Sequence, residues 1–303
     1  MNKGVIMAVL AITLWGVAIA PTKWALESFH PFTLMFVRLL LAGLIFLPYA
    51  WIKWRKERVL YTIPWMRVSL LSFTGVAGYF MLTSYGIALT SGTHASIIDA
   101  TLPLFTLVFS ALYLKENITR EQWIGLVIGM LGVLLISIPS HAEKTPSSVT
   151  GDLLILLSAA LFAVYTIQMK RPKGEAGLPS ELFTALTLLI GAGIVLPFAA
   201  LEIGYHGLPD QLDSQALWSV AFLVIGASTL AYWLWNQALL VIPAATGGIY
   251  LNILPVVSVL TSIVLLRESV TWKIAVGAGL VVAGIWWVEK EKFQRFRKQS
   301  AQL

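Results

Sequence analysis

LYLKENITREQWIG at residues 112–125 and VLLRESVTWKIAVG at residues 264–277 decide the fold. In each stretch a basic residue followed by a glutamate, Glu116 or Glu268, ends an apolar run, and another apolar run begins within a few residues. Carboxylates are favourable at the positive N-terminus of a helix. We therefore interpret each stretch as the turn between two apolar helices, with the glutamate in a structural role beside the helix that follows.

The same pattern occurs twice because the chain contains an internal repeat. The two glutamates are 268 − 116 = 152 residues apart, and the same offset relates Pro103 to Pro255 and Gly132 to Gly284. Internal repeats of this kind are common in membrane transporters. We expect two units of five helices each, at residues 1–147 and 148–289, followed by a basic tail at 290–303.

The composition is that of a chain surrounded by lipid. Of its 303 residues 58% are hydrophobic and 12% are charged, with a mean hydropathy of +0.81, whereas soluble domains are about one quarter charged. Apolar runs of about 20 residues cross a bilayer as helices. We predict an all-α membrane protein with ten transmembrane helices around a central cavity. The predicted spans are 4–26, 31–51, 65–89, 92–114, 121–138, 152–171, 179–203, 215–240, 243–266 and 272–289.

Basic residues near the span ends indicate the orientation, because lysine and arginine favour the cytoplasmic side. With the N-terminus inside, sixteen of the 21 basic residues lie on the cytoplasmic side, four lie outside and Arg38 lies within a span. The bias requires an even number of spans, so both termini are expected in the cytoplasm. It also favours a retained first helix, although residues 1–20 resemble a signal peptide. Since five is odd, we expect the second unit to be inverted relative to the first.

Several motifs resemble those of a known transporter family. TLWGVAIAPTKWAL at residues 13–26 and HPFTLMFVRLLLAGL at 30–44 combine Trp-Gly in the first helix, a lysine near its end and an arginine in the second. YGIALTSGTHASIIDATLPLFTLVFSALYLKENIT at 85–119 has small residues leading to a proline and a terminal glutamate. Together these stretches resemble EamA-type members of the drug/metabolite transporter superfamily.

This resemblance implies ten helices arranged as a basket around a central cavity, with spans 5 and 10 at the periphery. It also implies the transport of small metabolites, and many members of the superfamily are exporters. The second unit departs from the pattern. Phe162 and Ala163 stand where the first unit has Trp15 and Gly16, and no arginine matches Arg38.

Two charged residues inside the predicted spans are the first candidates for the site. Arg38 and Asp99 each lie about seven residues from the outer end of a span, and therefore about 10 Å deep at 1.5 Å per residue. Charges at such depth face a cavity or a partner. The pair either binds a zwitterion, with Arg38 on the carboxylate and Asp99 on the ammonium, or forms a permanent bridge between spans 2 and 4. Asp99 is also a candidate proton carrier, which makes protons a candidate coupling ion.

Further candidates are aromatic or neutral polar residues in the spans, which either line the pathway or join neighbouring helices. These candidate cavity residues are Trp15, Tyr79, Tyr85, Tyr165, Gln168, Trp235, Asn236, Tyr250 and Asn252. Lys23 and Lys170 occupy mirrored span ends as candidate electrostatic gates, although snorkelling to the interface explains Lys23 as well. Pro103 and Pro255 each remove a backbone hydrogen bond within a span, and we expect hinges there.

Two local patterns concern helix ends and helix packing. Thr119 followed three residues later by Gln122 is typical of a capping box. Span 5 and span 10 each carry a face of small residues suited to close packing, either within the chain or in a homodimer. These glycines are Gly125, Gly129 and Gly132 in span 5, and Gly277 and Gly284 in span 10. A monomer and a homodimer are both compatible with this pattern.

The motifs that the sequence lacks narrow the function. It contains no HExxH, GxSxG or GxxxxGK[ST] pattern and no cysteine, so thiol chemistry is excluded, and hydrolysis and ATP-driven pumping are unsupported. We expect a secondary transporter without cofactor, metal or nucleic-acid partner, moving an amino acid or related compound out through the plasma membrane. Exchange of phosphorylated sugars or nucleotide sugars is the alternative, and a membrane-embedded enzyme is less favoured.

The inverted repeat predicts that the two glutamate turns lie on opposite sides of the membrane. Because the chain has no cysteine, the single-cysteine variants Asn117→Cys and Ser269→Cys each carry one labelling site. In intact cells a membrane-impermeant maleimide is expected to label Ser269→Cys, and to label Asn117→Cys only after permeabilisation. Labelling of both positions from one side would contradict the inversion.

Overall fold

The structure is a computed structural model that describes residues 3–57, 63–89, 98, 101–137, 148–169, 178–209, 213–265, 272, 275–277, 279–284 and 286–287. Within these ranges the chain forms helices joined by turns, and no strand occurs in them. Asp99, Lys170 and Glu268 lie outside the described residues.

The helices follow the order that the apolar runs predict. In the first half they are α1 (Lys3–Val17), α2 (Ile19–Ala25), α3 (Pro31–Glu57), α4 (Trp65–Ser72), a first π-helical segment (Phe73–Ala77), α5 (Gly78–Leu89), α6 (Leu102–Tyr113) and α7 (Arg120–Ser137). In the second half they are α8 (Val149–Gln168), α9 (Ser180–His206), α10 (Ser214–Phe222), a second π-helical segment (Leu223–Leu230), α11 (Ala231–Val241), α12 (Ala244–Tyr250) and α13 (Ile253–Leu265). A shorter apolar helix covers Ala275–Gly284.

Among the described residues, five helices are long and apolar enough to cross a membrane. They are Lys3–Ala25, Pro31–Tyr49, Val149–Gln168, Ser180–His206 and Ser214–Val241. Each of their ends lies within about three residues of the predicted span end, because charged and turn-forming residues bound the apolar runs. The prediction of an all-α membrane protein is therefore confirmed.

Small residues allow the helices to approach closely. α1 packs against α11 and α13, and α3 packs against α9. Ala8 and Ala11 of α1 are fully buried, and a Cβ atom on Gly16 would lie 2.6 Å from Val257 of α13. Lipid chains are as apolar as leucine, so close van der Waals contact through small residues is one of the main attractions between membrane helices.

The two predicted small faces pack against each other within the chain. A Cβ atom on Gly132 of α7 would lie 2.5 Å from the backbone oxygen of Gly277, and one on Gly284 would lie 2.5 Å from that of Gly125. The glycine faces of spans 5 and 10 therefore form an intramolecular contact. Of the two packing alternatives left open by the sequence, the structure shows the one within the chain.

Glu116 stabilises a different helix from the one that its sequence position indicates, and that part of the prediction was wrong. Its two carboxylate oxygens accept hydrogen bonds from the backbone N–H groups of Ala244 and Ala245, both at 3.1 Å, at the start of α12. The structural role in itself is that of a carboxylate at a helix N-terminus. The helix is 128 residues away because tertiary packing brings the start of α12 to this turn.

The capping box at the start of α7 is confirmed. The backbone N–H of Thr119 donates to the side-chain oxygen of Gln122 at 2.9 Å, and the N–H of Gln122 donates to the Thr119 hydroxyl oxygen at 3.2 Å. The start of α7 is thus capped by Thr119 and Gln122, and the Glu116 carboxylate binds the start of α12. A second glutamate acts in the same way across the halves, since Glu202 of α9 accepts from the N–H groups of Phe32 at 3.3 Å and Thr33 at 2.7 Å in α3.

The two prolines begin new helices and do not kink continuous ones, which corrects the sequence interpretation. α6 begins at Leu102 and α13 begins at Ile253, so Pro103 and Pro255 both fall in a first turn. A proline at that position costs little because the N–H it lacks would have no partner within the helix. The interruption in span 9 is the turn at residues 251–252. A hinge in this region remains a prediction.

Replacing Glu116 with alanine is expected to lower the stability of the folded protein by about 1–2 kcal/mol, because two N–H groups at the start of α12 lose a charged acceptor. Thermal unfolding in detergent measures the effect. Glu27→Ala is the matched control, since Glu27 is exposed and its replacement is expected to change the midpoint little. Equal midpoints for the two variants would contradict the capping role.

Candidate functional site

A cavity of about 340 Å³ lies at the centre of the helix bundle, and both halves of the chain line it. It reaches from Thr22, Leu26 and Pro31, where α2 leads into α3, down to Tyr232 of α11 and Leu254 of α13. This volume lies in the range of small-molecule sites, which are concave, mostly apolar and equipped with a few polar groups. The cavity is therefore the candidate substrate site.

Arg38 supplies the positive charge of this cavity. Its side chain is only 9% exposed, its Nε donates to the Ser228 hydroxyl oxygen at 2.9 Å, and its guanidinium carbon lies 5.1 Å from the centre of the Phe80 ring. Among the described residues that line the cavity, none is acidic. The bond to Ser228 uses Nε, so it does not involve the two terminal nitrogens, which carry four of the five guanidinium donors.

Aromatic rings form much of the wall around this charge. The Trp15 ring lies edge-on to Tyr232 at 5.3 Å between ring centres and to Phe162 at 6.0 Å. Tyr79 lies 5.0 Å from Phe162, and its neighbour Phe80 contacts Arg38. Edge-to-face pairs of this kind are stabilising and hold the rings in defined positions. The described residues therefore form a largely apolar and aromatic wall that contains the cation of Arg38.

The two π-helical segments occupy corresponding places in the two halves and provide acceptors beside the cavity. Gly75 in the first segment and Ala227 in the second are 227 − 75 = 152 residues apart, which is the repeat offset. The Gly75 carbonyl accepts from the Tyr232 hydroxyl at 3.1 Å, and the Ala227 carbonyl accepts from the Trp15 indole N–H at 2.9 Å. π-Helical turns are rare and recur at functional sites.

A buried polar network closes the bundle at one end of the cavity. The Tyr165 hydroxyl donates to the Asn236 amide oxygen at 2.6 Å, and the Asn236 amide nitrogen donates to the Thr184 hydroxyl oxygen at 2.9 Å. All three side chains are 0% exposed. The network joins α8, α9 and α11 near the end of α8, opposite the α2–α3 junction. A Cβ atom on Gly75 would lie 2.2 Å from the Tyr165 ring, so this closure needs a glycine there.

The structure brings together some of the predicted site residues and separates others. Trp15, Arg38 and Tyr79 line the cavity, and Trp235 lies directly behind Trp15 at 5.7 Å between ring centres. Tyr165 and Asn236 belong to the closing network. Their hydrogen bonds are those expected of polar residues that join helices.

Other predicted residues lie away from the cavity. Tyr85 is 57% exposed and packs near Phe32, and Gln168 lines a separate crevice at the end of α8. Tyr250 and Asn252 are buried beside the α12–α13 turn, and both polar side-chain atoms of Asn252 lack a hydrogen-bond partner. Lys23 is exposed in the last turn of α2. Since Asp99 and Lys170 lie outside the described residues, the Arg38–Asp99 pair and the paired gates stay predictions.

The sequence analysis did not select several residues of the site, and four of them matter for its chemistry. Phe80, Phe162 and Tyr232 line the cavity, and Ser228 holds Arg38. Phe162 had a usable signal, because the repeat aligns it with Trp15 and an aromatic ring is present at both positions. Ser228 had a weaker one, as a hydroxyl in an otherwise apolar run.

An all-helical membrane protein with a small central cavity shared by two halves has the build of a membrane transport protein. The sequence profile of the EamA-like transporter family matches residues 2–138 and 149–289. The chain therefore belongs to the EamA-like transporter family, as the motifs in its first helices indicated.

Named relatives and a solved structure agree with this assignment. An uncharacterized transporter of Archaeoglobus fulgidus is 29% identical over 301 residues, covering 96% of this chain and all of that protein. Transporter YcxC of Bacillus subtilis, also uncharacterized, is 26% identical over 92% of this chain and 90% of its own. Protein PecM of Dickeya dadantii is 25% identical over 98% and 95% respectively. A crystal structure with 20% identity superposes with a TM-score of 0.78 over 94% of this chain and 96% of the other, which supports the fold alone.

Replacing Gly75 with alanine is expected to destabilise the closed end by about 1–3 kcal/mol, because the new methyl group overlaps the Tyr165 ring and forces the core to shift. Gly193→Ala is the matched control, since nothing lies within 4 Å of a Cβ atom at that position. Its midpoint of thermal unfolding is expected to stay the same or to rise slightly. A Gly75→Ala protein as stable as the control would contradict the tight contact.

Proposed function

We propose that the protein is a secondary transporter that moves a small carboxylate-bearing metabolite, most simply an amino acid or a related compound, by alternating access. The observation that carries this proposal is the buried guanidinium of Arg38 in the wall of a central cavity. A buried charge is costly unless it has a partner. A substrate carboxylate is a partner of opposite charge, and guanidinium groups bind carboxylates through two parallel hydrogen bonds.

The size and lining of the cavity support a small substrate with an apolar part. About 340 Å³ suits a molecule of amino-acid size. The rings of Trp15, Tyr79 and Phe162 favour an apolar or aromatic body next to the carboxylate. Phosphorylated sugars and nucleotide sugars, the alternative substrates, carry more negative charge and call for several cations. Arg38 is the one lysine or arginine among the described lining residues.

Two observations support alternating access between halves of opposite orientation. First, the buried Tyr165–Asn236 network lies about one helical turn beyond the lining residues Phe162 and Tyr232, whereas the cavity reaches the α2–α3 junction in the other direction. Second, the glycine contacts of spans 5 and 10 are reciprocal, with Gly132 on Gly277 and Gly284 on Gly125. Equivalent residues that exchange partners in antiparallel order are expected of two units related by a two-fold axis in the membrane plane.

The orientation belongs to the same proposal. The excess of basic residues on one side supports a plasma-membrane protein with both termini in the cytoplasm. The end of the cavity next to the Tyr165–Asn236 network then faces the cytoplasm, and the α2–α3 junction faces outward. We propose efflux as the physiological direction, on the basis of the resemblance to exporters.

Arg38→Gln is expected to reduce transport by about 10- to 100-fold, the equivalent of one lost charge-assisted carboxylate contact. Counterflow of a panel of amino acids, organic acids and sugar phosphates in proteoliposomes measures it. Arg38→Lys is expected to retain part of the activity, since an ammonium keeps the charge and loses the two-pronged geometry. Arg120→Gln, which removes an exposed cation at the start of α7, is the control. A folded Arg38→Gln protein with full transport would contradict the proposal.

The same proteoliposomes test the coupling ion. If Asp99 carries protons, transport by the wild-type protein responds to an imposed pH gradient and transport by Asp99→Asn does not. An Asp99→Asn protein that kept its full response would eliminate that role. Exchange of sugar phosphates that is independent of the gradient would instead favour the exchanger.

A further inference from the structure

A second, larger crevice of about 840 Å³ lies between α4, α6 and the end of α8. It shares no lining residue with the cavity around Arg38. Leu70, Phe109 and Val164 contribute to its apolar wall, and its rim carries Trp65 and Tyr113, which are 57% and 73% exposed. Because the rim is exposed, the crevice opens at the outer surface of the helix bundle, where lipid surrounds the protein.

Among the described residues, positive charge predominates in and beside this crevice. Arg67 lines it and donates from Nη2 to the backbone oxygen of Gln168, the last residue of α8, at 3.0 Å. Lys115, which directly follows the lining residue Leu114, is exposed. The nearby Glu116 carboxylate is bonded to the backbone of α12. No acidic side chain occurs among the described residues of the crevice wall.

An unpaired acceptor accompanies the cation. The Gln168 side-chain oxygen is buried and has no hydrogen-bond partner, although Gln168 lines the crevice. Buried polar atoms are nearly always paired in folded proteins. A hydroxyl group on a molecule in the crevice would supply the missing donor, while Arg67 would bind a negatively charged group on the same molecule.

We propose that this crevice binds an anionic phospholipid, with its phosphate at Arg67, a headgroup hydroxyl at Gln168 and one acyl chain along Leu70 and Val164. Each part of such a lipid meets a matching surface: the guanidinium for the phosphate, the apolar wall for the chain, and Trp65 and Tyr113 at the level of the headgroups. In the orientation proposed above, this end of the bundle faces the cytoplasmic leaflet, which is rich in anionic lipids. The readout of the test is lipid binding and not transport, so it stands or falls separately from the proposed function.

Native mass spectrometry of the purified full-length protein tests this site, with phosphatidylglycerol and phosphatidylcholine of identical acyl chains as the probes. The wild-type protein is expected to prefer phosphatidylglycerol. Arg67→Gln is expected to reduce that preference about tenfold, as for one lost charge-assisted contact. Arg55→Gln is the matched control, because Arg55 is an exposed cation 5.1 Å from the Trp51 ring and does not line the crevice. It is expected to keep the preference.

A second variant separates lipid binding from a purely structural role of Arg67. Val164→Trp places a large ring where the acyl chain is proposed to lie and leaves the cation in place, so it is expected to reduce the binding of phosphatidylglycerol as well. Full lipid binding by Val164→Trp would overturn the proposal, and so would an unchanged preference in Arg67→Gln. Soluble glycerol 3-phosphate is the third probe. The unfolding temperature of the protein is measured with glycerol 3-phosphate and, separately, with phosphatidylglycerol. An equal increase with both would mean that the crevice is a site for soluble phosphates, and the proposal would be wrong.

Discussion

A backbone inside a bilayer must satisfy its own hydrogen bonds, because no water is present to do so. In this protein two departures from the regular α-helix beside the cavity, the two π-helical segments, are each paired with a side-chain donor. The two π-helical segments present carbonyl groups at Gly75 and Ala227, and these accept from Tyr232 and Trp15. The same bonds hold the two aromatic rings against the cavity. The π-helical distortions therefore supply the acceptors that position side chains of the cavity wall.

The buried guanidinium of Arg38 is likewise paired with groups inside the protein. Its charge is held by Ser228, in the second π-helical segment, and by the face of Phe80. Arg38 and Phe80 come from the first half of the chain and Ser228 from the second, so the charge lies where the halves meet. Movement of one half against the other would change the surroundings of the charge. That coupling is what a transporter needs if substrate binding is to alter access.

Two glutamates join the halves at the ends of helices. Glu116 of the first half holds the start of α12 and Glu202 of the second half holds the start of α3. Each carboxylate faces backbone N–H groups that would otherwise lack partners, where the helix dipole also favours negative charge. Neither carboxylate lines the cavity. They fix helix ends while leaving the lining of the cavity to side chains that contact one another through rings and small residues.

The sequence by itself determined the features that depend on neighbouring residues. The span ends follow from apolar runs, the capping box follows from Thr119 and Gln122, and the repeat follows from a constant offset of 152 residues. The buried charge at Arg38 and the ring at Trp15 were visible for the same reason, since either is unusual within an apolar helix. Apart from the repeat, which is a comparison of the two halves, each of these signals lies within one helix or one turn.

Only the tertiary structure decided which distant groups meet. Glu116 caps a helix 128 residues away, and the glycine faces of spans 5 and 10 contact each other within the chain. Tyr165 and Tyr85 are both aromatic residues in apolar helices, yet one is sealed in the core and the other is 57% exposed. Composition does not distinguish them, because a membrane helix is apolar on all sides and its sequence does not mark which face meets protein and which meets lipid. That choice is made by the packing of the whole bundle.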